Sequence, residues 1–493
     1  MRIPFDPQLR LGCDPVLDVR LNTNCRDEII PILASLQHIY SQPTLRDELL
    51  DAVRQDVNGS SNPERGRPGM DYWAILVLGA VRLGCNLDYD KLQNLAEEHR
   101  SLRNIMGIAG WDDEQSFDWR CIRVNVCSLL PETIERINHL IVGEGHRLVP
   151  EAAQTVRVDS FVVKTNIHYP TDSSLIGDGL RLIMPVAVRL ASLLGVDGWR
   201  QNKYLLRAVK KQLRVVNRIA ASKGRDSKSR LKDADRTLIE LADRILNRAL
   251  QLLDPALLRI SPCEQASDVN MLRDKLRDLL TRTIQVCDLA RRRVLQGETI
   301  ANDEKLFSLF EPETQLIMRG KSPDPIEFGH RVLVIEDGAG FVCHYSVMPR
   351  GAVDSEVVVG EMKQVQERLG WRIKRASFDR GFHSPENQVE LAKLVPHTCL
   401  PKPGVHQAAQ QEQEATVEFR ESRRKHPGIE SAIGALQSGN GLERCRDRTF
   451  GGYCRYVGLG ILGRNLHVLG KLLLARAEKT CVAGQSRRDR VAA

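Results

Sequence analysis

The sequence predicts an α/β core that is preceded by an all-helical domain and interrupted by a long helical insertion. Three observations lead there. Residues 26–148 place apolar side chains at three- and four-residue spacing, the period of amphipathic helices. Short β-branched runs occur at 155–166, 329–349 and 372–379. Those runs then alternate with helical patterns, as a layered α/β fold requires.

The helical segments of the first region are "DEIIPILASLQHIY", "TLRDELLDAVRQDV", "MDYWAILVLGAVRLG", "YDKLQNLAEEHRSLRNIMG" and "PETIERINHLIVGEGHRL". A Gly-, Ser- and Pro-rich loop, "NGSSNPERGRPG" (58–69), divides them, and the domain is assigned to residues 1–150. "TVRVDSFVVKTN" (155–166) alternates in its first half and is apolar in its second, which suits a buried strand. Helical periodicity rich in basic residues returns over 174–318. "GHRVLVIEDGAGFVCHYSVMP" (329–349) holds two apolar runs around Asp337-Gly338, a hairpin by its turn chemistry. A helix over 355–370 ends in glycine, and "RIKRASFD" (372–379) reads as a strand. "SPENQVELAKLV" is a helix with Ser384 as N-cap and Pro385 at its first position. "HTCLPKPG" is a short strand and exit, followed by a polar connector at 407–421. "HPGIESAIGALQSGNG" is a last helix, opened by Pro427 and closed at Gly439–Gly441, and "SRRDRVAA" ends an irregular basic tail over 471–493. With 174–318 set aside, the order is strand, strand, strand, helix, strand, helix, strand, helix. That is the order of an RNase H-like α/β core, here spanning 151–470 with a helical insertion between its first and second strands.

Bulk composition narrows the class. The 493 residues carry a formal net charge of +8, and a basic balance suits a polyanionic partner, with nucleic acid first. Twelve cysteines include no C-x-x-C pair, which argues against a structural zinc and for reduced thiols. The start "MRIPFDPQLRLG" lacks the apolar region of a signal peptide, and "YWAILVLGAV" is about half the length of a membrane span. A soluble, cytoplasmic protein with no membrane partner is the expectation.

Three carboxylates fall at comparable ends of this core. Asp159 lies within the first strand, Asp379 at the C-terminal end of the fourth, and Glu430 in the first turn of the last helix. Reactive groups of open α/β sheets collect where strand ends meet helix starts. Converging carboxylates supply hard oxygen ligands for Mg²⁺ or Mn²⁺, and two such ions support phosphodiester displacement. In that reading Asp159 bridges both ions, with Asp379 and Glu430 completing one side each. Taken singly, Asp379 also reads as a turn carboxylate before Gly381, and Glu430 as a complement to its helix dipole. Asp159, inside "VRVDSFVV", needs a partner or a metal to offset desolvation.

Four blocks carry a resemblance: "VRVDSFVVKTNIHYPTDSSLIGDGLRLI" (156–183), "MRGKSPDPIEFGHRVLV" (318–334), "FDRGFHSPEN" (378–387) and "RRKHPGIESAIGALQSGNGLERC" (423–445). In this order they resemble the signature blocks of DDE transposases of bacterial insertion sequences, of the ISNCY-type group. The preceding "DYWAILVLGAVRLGCNLDYDKLQNLAEEHRSLRNIMG" is similar to that group's N-terminal helical region. The resemblance implies an RNase H-like core whose triad falls on Asp159, Asp379 and Glu430. It implies Mg²⁺- or Mn²⁺-dependent cleavage of duplex DNA at terminal inverted repeats, then attack of the freed 3′-hydroxyl on target DNA. A homodimer or larger synaptic complex in the bacterial cytoplasm, at the nucleoid, goes with it. Where many enzymes of the wider superfamily carry an arginine four residues before the glutamate and a lysine seven after it, this chain has His426 and Gln437. Arg423, Arg424 and Lys425 stand nearby as phosphate contacts.

Further DNA contacts are assigned to Lys321, Arg380, His426 and the basic run of 200–236, with Lys210, Lys211 and Arg214 at its centre. "RGKS" at 319–322 is not a P-loop, because Gln315 stands where the first glycine is required and no strand precedes it, so no nucleotide cofactor is expected. Two other functions share these features: a catalytically inactive, DNA-binding repressor derived from a transposase, and a structure-selective nuclease of another RNase H-like class.

Overall fold

The computed structural model describes residues 2–5, 14–59, 69–108, 116–260, 266–318, 325–404 and 408–491. The chain packs as two compact units, residues 1–165 with 329–493, and residues 166–328.

Among the described residues the α-helices of the first unit's N-terminal part are, in chain order, α1 (Ile29–Tyr40), α2 (Pro43–Asn58), α3 (Tyr72–Gly84), α4 (Tyr89–Glu98), α5 (Arg100–Ile105), α6 (Trp119–Cys127) and α7 (Pro131–Leu148), followed by β1 (Thr155–Lys164). The expected helix over 89–107 breaks in two at His99, whose imidazole Nδ1 accepts the Leu102 amide and starts α5. The second unit holds α8 (Asp172–Leu194), α9 (Asn202–Ala220), α10 (Ser227–Leu250), α11 (Ala266–Ala290) and the short strand β2 (Gln315–Met318). Its four long helices pack an apolar core of their own, with Leu180, Leu190, Leu238, Ala242, Leu276 and Leu280 at its centre. The insertion is thus wider than 174–318 and includes a strand that helical periodicity did not foretell. β2 stands directly before "RGKS", against the expectation that no strand precedes it, so the case against a P-loop there rests on Gln315.

The chain continues with β3 (Ile326–Asp337), β4 (Val342–Val347), α12 (Asp354–Arg368), β5 (Arg375–Phe378), α13 (Pro385–Leu394), β6 (His397–Cys399), α14 (Ala408–Ala415), α15 (Val417–Lys425), α16 (Gly428–Ser438) and α17 (Phe450–Val491). Asp337 shapes the β3–β4 turn, its Oδ1 accepting the amides of Ala339 and Phe341. Ser384 caps α13 by accepting the Asn387 amide, with Pro385 in the first turn. Two expectations fail here. The polar connector at 407–421 is largely helical, as α14 and the start of α15, because its Ala, Gln and Glu are good helix formers. The basic tail continues α17 to Val491 instead of ending as irregular chain, for the same reason.

Within the first unit the strands run in the order β4, β3, β1, β5, β6. β3 is antiparallel to both β1 and β4, whereas β1, β5 and β6 are mutually parallel. The register sets Val158 beside Phe378 and Asp159 beside Val334.

No packing boundary falls near residue 150. A single apolar cluster joins α1, α2, α3 and α7 to the sheet and to α17. The expected separate N-terminal domain is corrected on this point: α17 lies against α1, α3 and α7, so the helices bury their stripes on the end of the chain. At the crossing of α3 and α17 the backbones meet, and a Cβ on Gly463 would lie 2.5 Å from the Gly84 Cα. The stretch Phe450–Lys479 of α17 is long and apolar enough to cross a membrane, but 67% of its most apolar window is buried inside the fold, which accounts for its composition.

Candidate active site

β1 and β5 run parallel, so side chains on matching rungs share a face. With Val158 level with Phe378, the next residues, Asp159 and Asp379, follow side by side, Asp159 inside its strand and Asp379 just past the end of β5. Glu430 is the third residue of α16, which packs on β1. Asp159 is half-buried, while Asp379 and Glu430 are exposed. The structure therefore brings the three sequence-predicted carboxylates to one end of one face.

Their electrostatics point the same way. Burial pushes the Asp159 carboxyl up to about 6, against the Ser160 amide that donates to its Oδ1 at 2.7 Å. Asp379, Asp354 and Glu430 add to the rise in that order. Such a concentration of like charge is what a bound cation relieves.

Asp354 is the residue that sequence reading missed. It is the first residue of α12, directly after β4, and its Oδ2 lies 3.5 Å from Arg331 Nη1. Its Oδ1 is buried without a hydrogen-bond partner. An acidic residue in the first turn of a helix that follows a strand was the signal that singled out Glu430, and Asp354 carries the same signal. Glu356 shares it too but is occupied with the Val353 amide as a capping contact at 3.1 Å.

The donor set fits Mg²⁺ or Mn²⁺: it is all oxygen, carries excess negative charge, and includes one orphaned buried carboxylate atom. Among the described residues, the ligand atoms that all lie within 4.8 Å of one another belong to a different group, Glu135, His139 and His344. No three of the carboxylates around Asp159 bring their oxygens that close among the described residues. The Glu135–His139–His344 group already faces a cation. Arg368 Nη1 lies 3.3 Å from His344 Nδ1, and Glu361 takes His344 Nε2 at 2.5 Å.

The expected DNA-contacting residues divide. Arg423, Arg424 and Lys425 are exposed in the last turn of α15, where they also complement its dipole. His426 is half-buried, its Nδ1 3.1 Å from Ser377 Oγ, and burial lowers its pKa while Asp379 and Glu430 oppose the shift. Arg380 is exposed beside Asp379. Lys210, Lys211 and Arg214 are exposed on α9, in the second unit. Lys321 lies outside the described residues. A cleft of about 590 Å³ opens at the N-terminal ends of β1 and β5, where Arg157, Arg375, Arg424 and Lys425 line it together with Asp337 and Glu421.

No protein-family model, curated protein or solved structure matches the chain.

Proposed function

We propose that the first unit is an RNase H-like nuclease core and that the chain is a DDE-type transposase. It cleaves duplex DNA at terminal inverted repeats and transfers the resulting 3′-hydroxyl to target DNA. The observation that carries this reading is the juxtaposition of Asp159 and Asp379 on adjacent parallel strands, with Glu430 close enough to add to the charge on Asp159. The strand order β4, β3, β1, β5, β6, with β3 alone antiparallel to β1, supports the same fold. Asp159, Asp379 and Glu430 would hold Mg²⁺ or Mn²⁺, with Asp354 beside them. Bound there, the ions supply Lewis-acid activation of a water or 3′-hydroxyl and stabilisation of the leaving oxygen. The protein's part is to converge the carboxylates on one end of a rigid sheet, where the metal would offset their mutual repulsion, and to steer the DNA backbone with α15. Synapsis of two element ends calls for a homodimer or larger assembly.

The test is a nicking and joining assay with purified protein, Mn²⁺ and a duplex bearing the inverted repeats that flank the gene. Repeat-specific nicking that disappears in Asp379→Ala, with DNA binding retained, is the expected result. Binding without cleavage in the wild type indicates a repressor. Cleavage indifferent to the repeats indicates a structure-selective nuclease.

A further inference from the structure

Arg157 stands two residues before Asp159, on the same face of β1. Its side chain crosses to the junction of α15 and α16, where Nη1 donates to the Lys425 carbonyl at 3.3 Å. Nη2 lies 2.8 Å from Oε2 of Glu336, its cross-strand neighbour on β3, which is 3% exposed. Arg464 Nη2 approaches the other oxygen of Glu336 at 3.8 Å, so the carboxylate that steadies Arg157 is itself held.

Gly428 makes room for this reach. A Cβ there would meet Arg157 Nη1 at 2.0 Å and Cζ at 3.0 Å. Gly428 is not among the residues of positive φ, so space, not backbone conformation, is what glycine supplies. Lys425 ends α15, Gly428 begins α16, and Glu430 follows two residues later. The Glu430 carboxylate makes no hydrogen bond or ion pair among the described residues, so its position follows from the placement of α16, which this junction sets together with the packing of Ile429 and Leu436.

We propose that Arg157 is a positioning residue: it ties the α15–α16 junction to β1 and so keeps Glu430 in reach of Asp159. The inference rests on the reading of Asp159 and Glu430 as ligands of one metal site. Lysine in its place is a point charge that keeps the Glu336 pair but lacks the planar fork that serves two partners at once.

The experiment is a double-mutant cycle on the full chain, read by calorimetric titration of Mn²⁺ without DNA. Arg157→Met is expected to weaken Mn²⁺ binding about 10–100-fold, the usual effect of removing a group that orients a ligand. Gly428→Ala is expected to do the same by displacing the guanidinium, the flexible end of a long side chain, and it guards against a folding defect in Arg157→Met. Arg157→Lys should recover part of the loss. In a Glu430→Gln background, Arg157→Met should cause no further loss. An equal loss in both backgrounds overturns the proposal, as does full affinity in both Arg157→Met and Gly428→Ala. Should the wild type bind no Mn²⁺, the metal-site reading falls. Hydrogen exchange then decides the anchoring: amides of Ile429–Ala432 exchanging at least tenfold faster in Arg157→Met, with α17 unchanged, support it, and unchanged rates overturn it.

Discussion

Arg82 and Asp447, 365 residues apart in sequence, form a bidentate pair, Nη2 to Oδ1 at 2.7 Å and Nη1 to Oδ2 at 3.2 Å. Their side chains are 2% and 5% exposed, and the guanidinium lies 4.0 Å from the Tyr89 ring centroid. The pair locks α3 to the segment that leads into α17. Removing one partner leaves a buried charge uncompensated, so Asp447→Ala should cost about 3–5 kcal/mol in urea unfolding. Arg82→Met with Asp447→Leu should recover only part of that loss, because Arg455, whose Nη2 lies 3.6 Å from Asp447 Oδ2, keeps its charge there.

Asp159→Asn separates function from stability. In metal-free protein at pH 7 the change removes a half-buried charge that Asp379, Asp354 and Glu430 repel. Stability should rise by about 1–2 kcal/mol once solvent screening is allowed for, while stabilisation by Mn²⁺ disappears. The folded-state carboxyl titrates at about 6, above its ordinary 3.8, so the folded protein holds the proton more tightly between those values. The wild type therefore gains on the variant as pH falls through 6 toward 4, and the difference should close near pH 4. A variant less stable than wild type at pH 7 would sink this account.

His330 works in the opposite direction. It is 3% exposed, packed 4.7 Å from the Tyr453 ring, and burial pushes it down to about 4, with Arg350 adding to the shift. The unfolded chain takes up the proton below about 6.5 and the folded protein only near 4. Stability from neutral His330 is thus complete above pH 6.5 and is lost as pH falls toward 4, by about 2–3 kcal/mol. Denaturation series in His330→Phe should lack that slope. Because the windows of Asp159 and His330 overlap with opposite signs, only single variants resolve them.

The α3–α17 crossing admits no side chain. At Gly463 a Cβ would meet the Gly84 Cα at 2.5 Å and amide nitrogen at 2.6 Å, and backbone atoms cannot turn aside as a side chain does. Gly463→Ala should cost at least about 2 kcal/mol by thermal unfolding. A cost below about 0.5 kcal/mol would show that the helices separate freely there.

If α9 carries DNA, replacing Lys210, Lys211 and Arg214 by alanine should weaken binding without regard to sequence. The slope of log affinity against log salt should fall by about 2–3, roughly one for each phosphate that no longer has its cation. An unchanged slope would mean that these exposed side chains only solvate the helix.

Local signals told much of this in advance. The strand at 155–164, the hairpin around Asp337, the Ser384–Pro385 helix start and the first-turn position of Glu430 each depend on residues within one or two turns of chain. α6 and the break at His99 were not legible, because a nine-residue helix and a side-chain cap leave little period to read. Nor did the tail betray its helix, since its charges mask ordinary helix-forming residues.

By itself, the amino-acid order determined the long helices, the strands that carry the site and the local positions of Asp159, Asp379 and Glu430, because propensity, capping and turn chemistry act over a few residues. Only the tertiary structure decided that β5 lies beside β1 in the register that sets Asp379 next to Asp159. It also placed Asp354 with them, sent Arg157 under Gly428 to the Lys425 carbonyl, and folded the N-terminal helices onto α17. Those relations join residues up to hundreds of positions apart, and they are chosen by which faces bury best together, a property of the packed chain that no local period encodes.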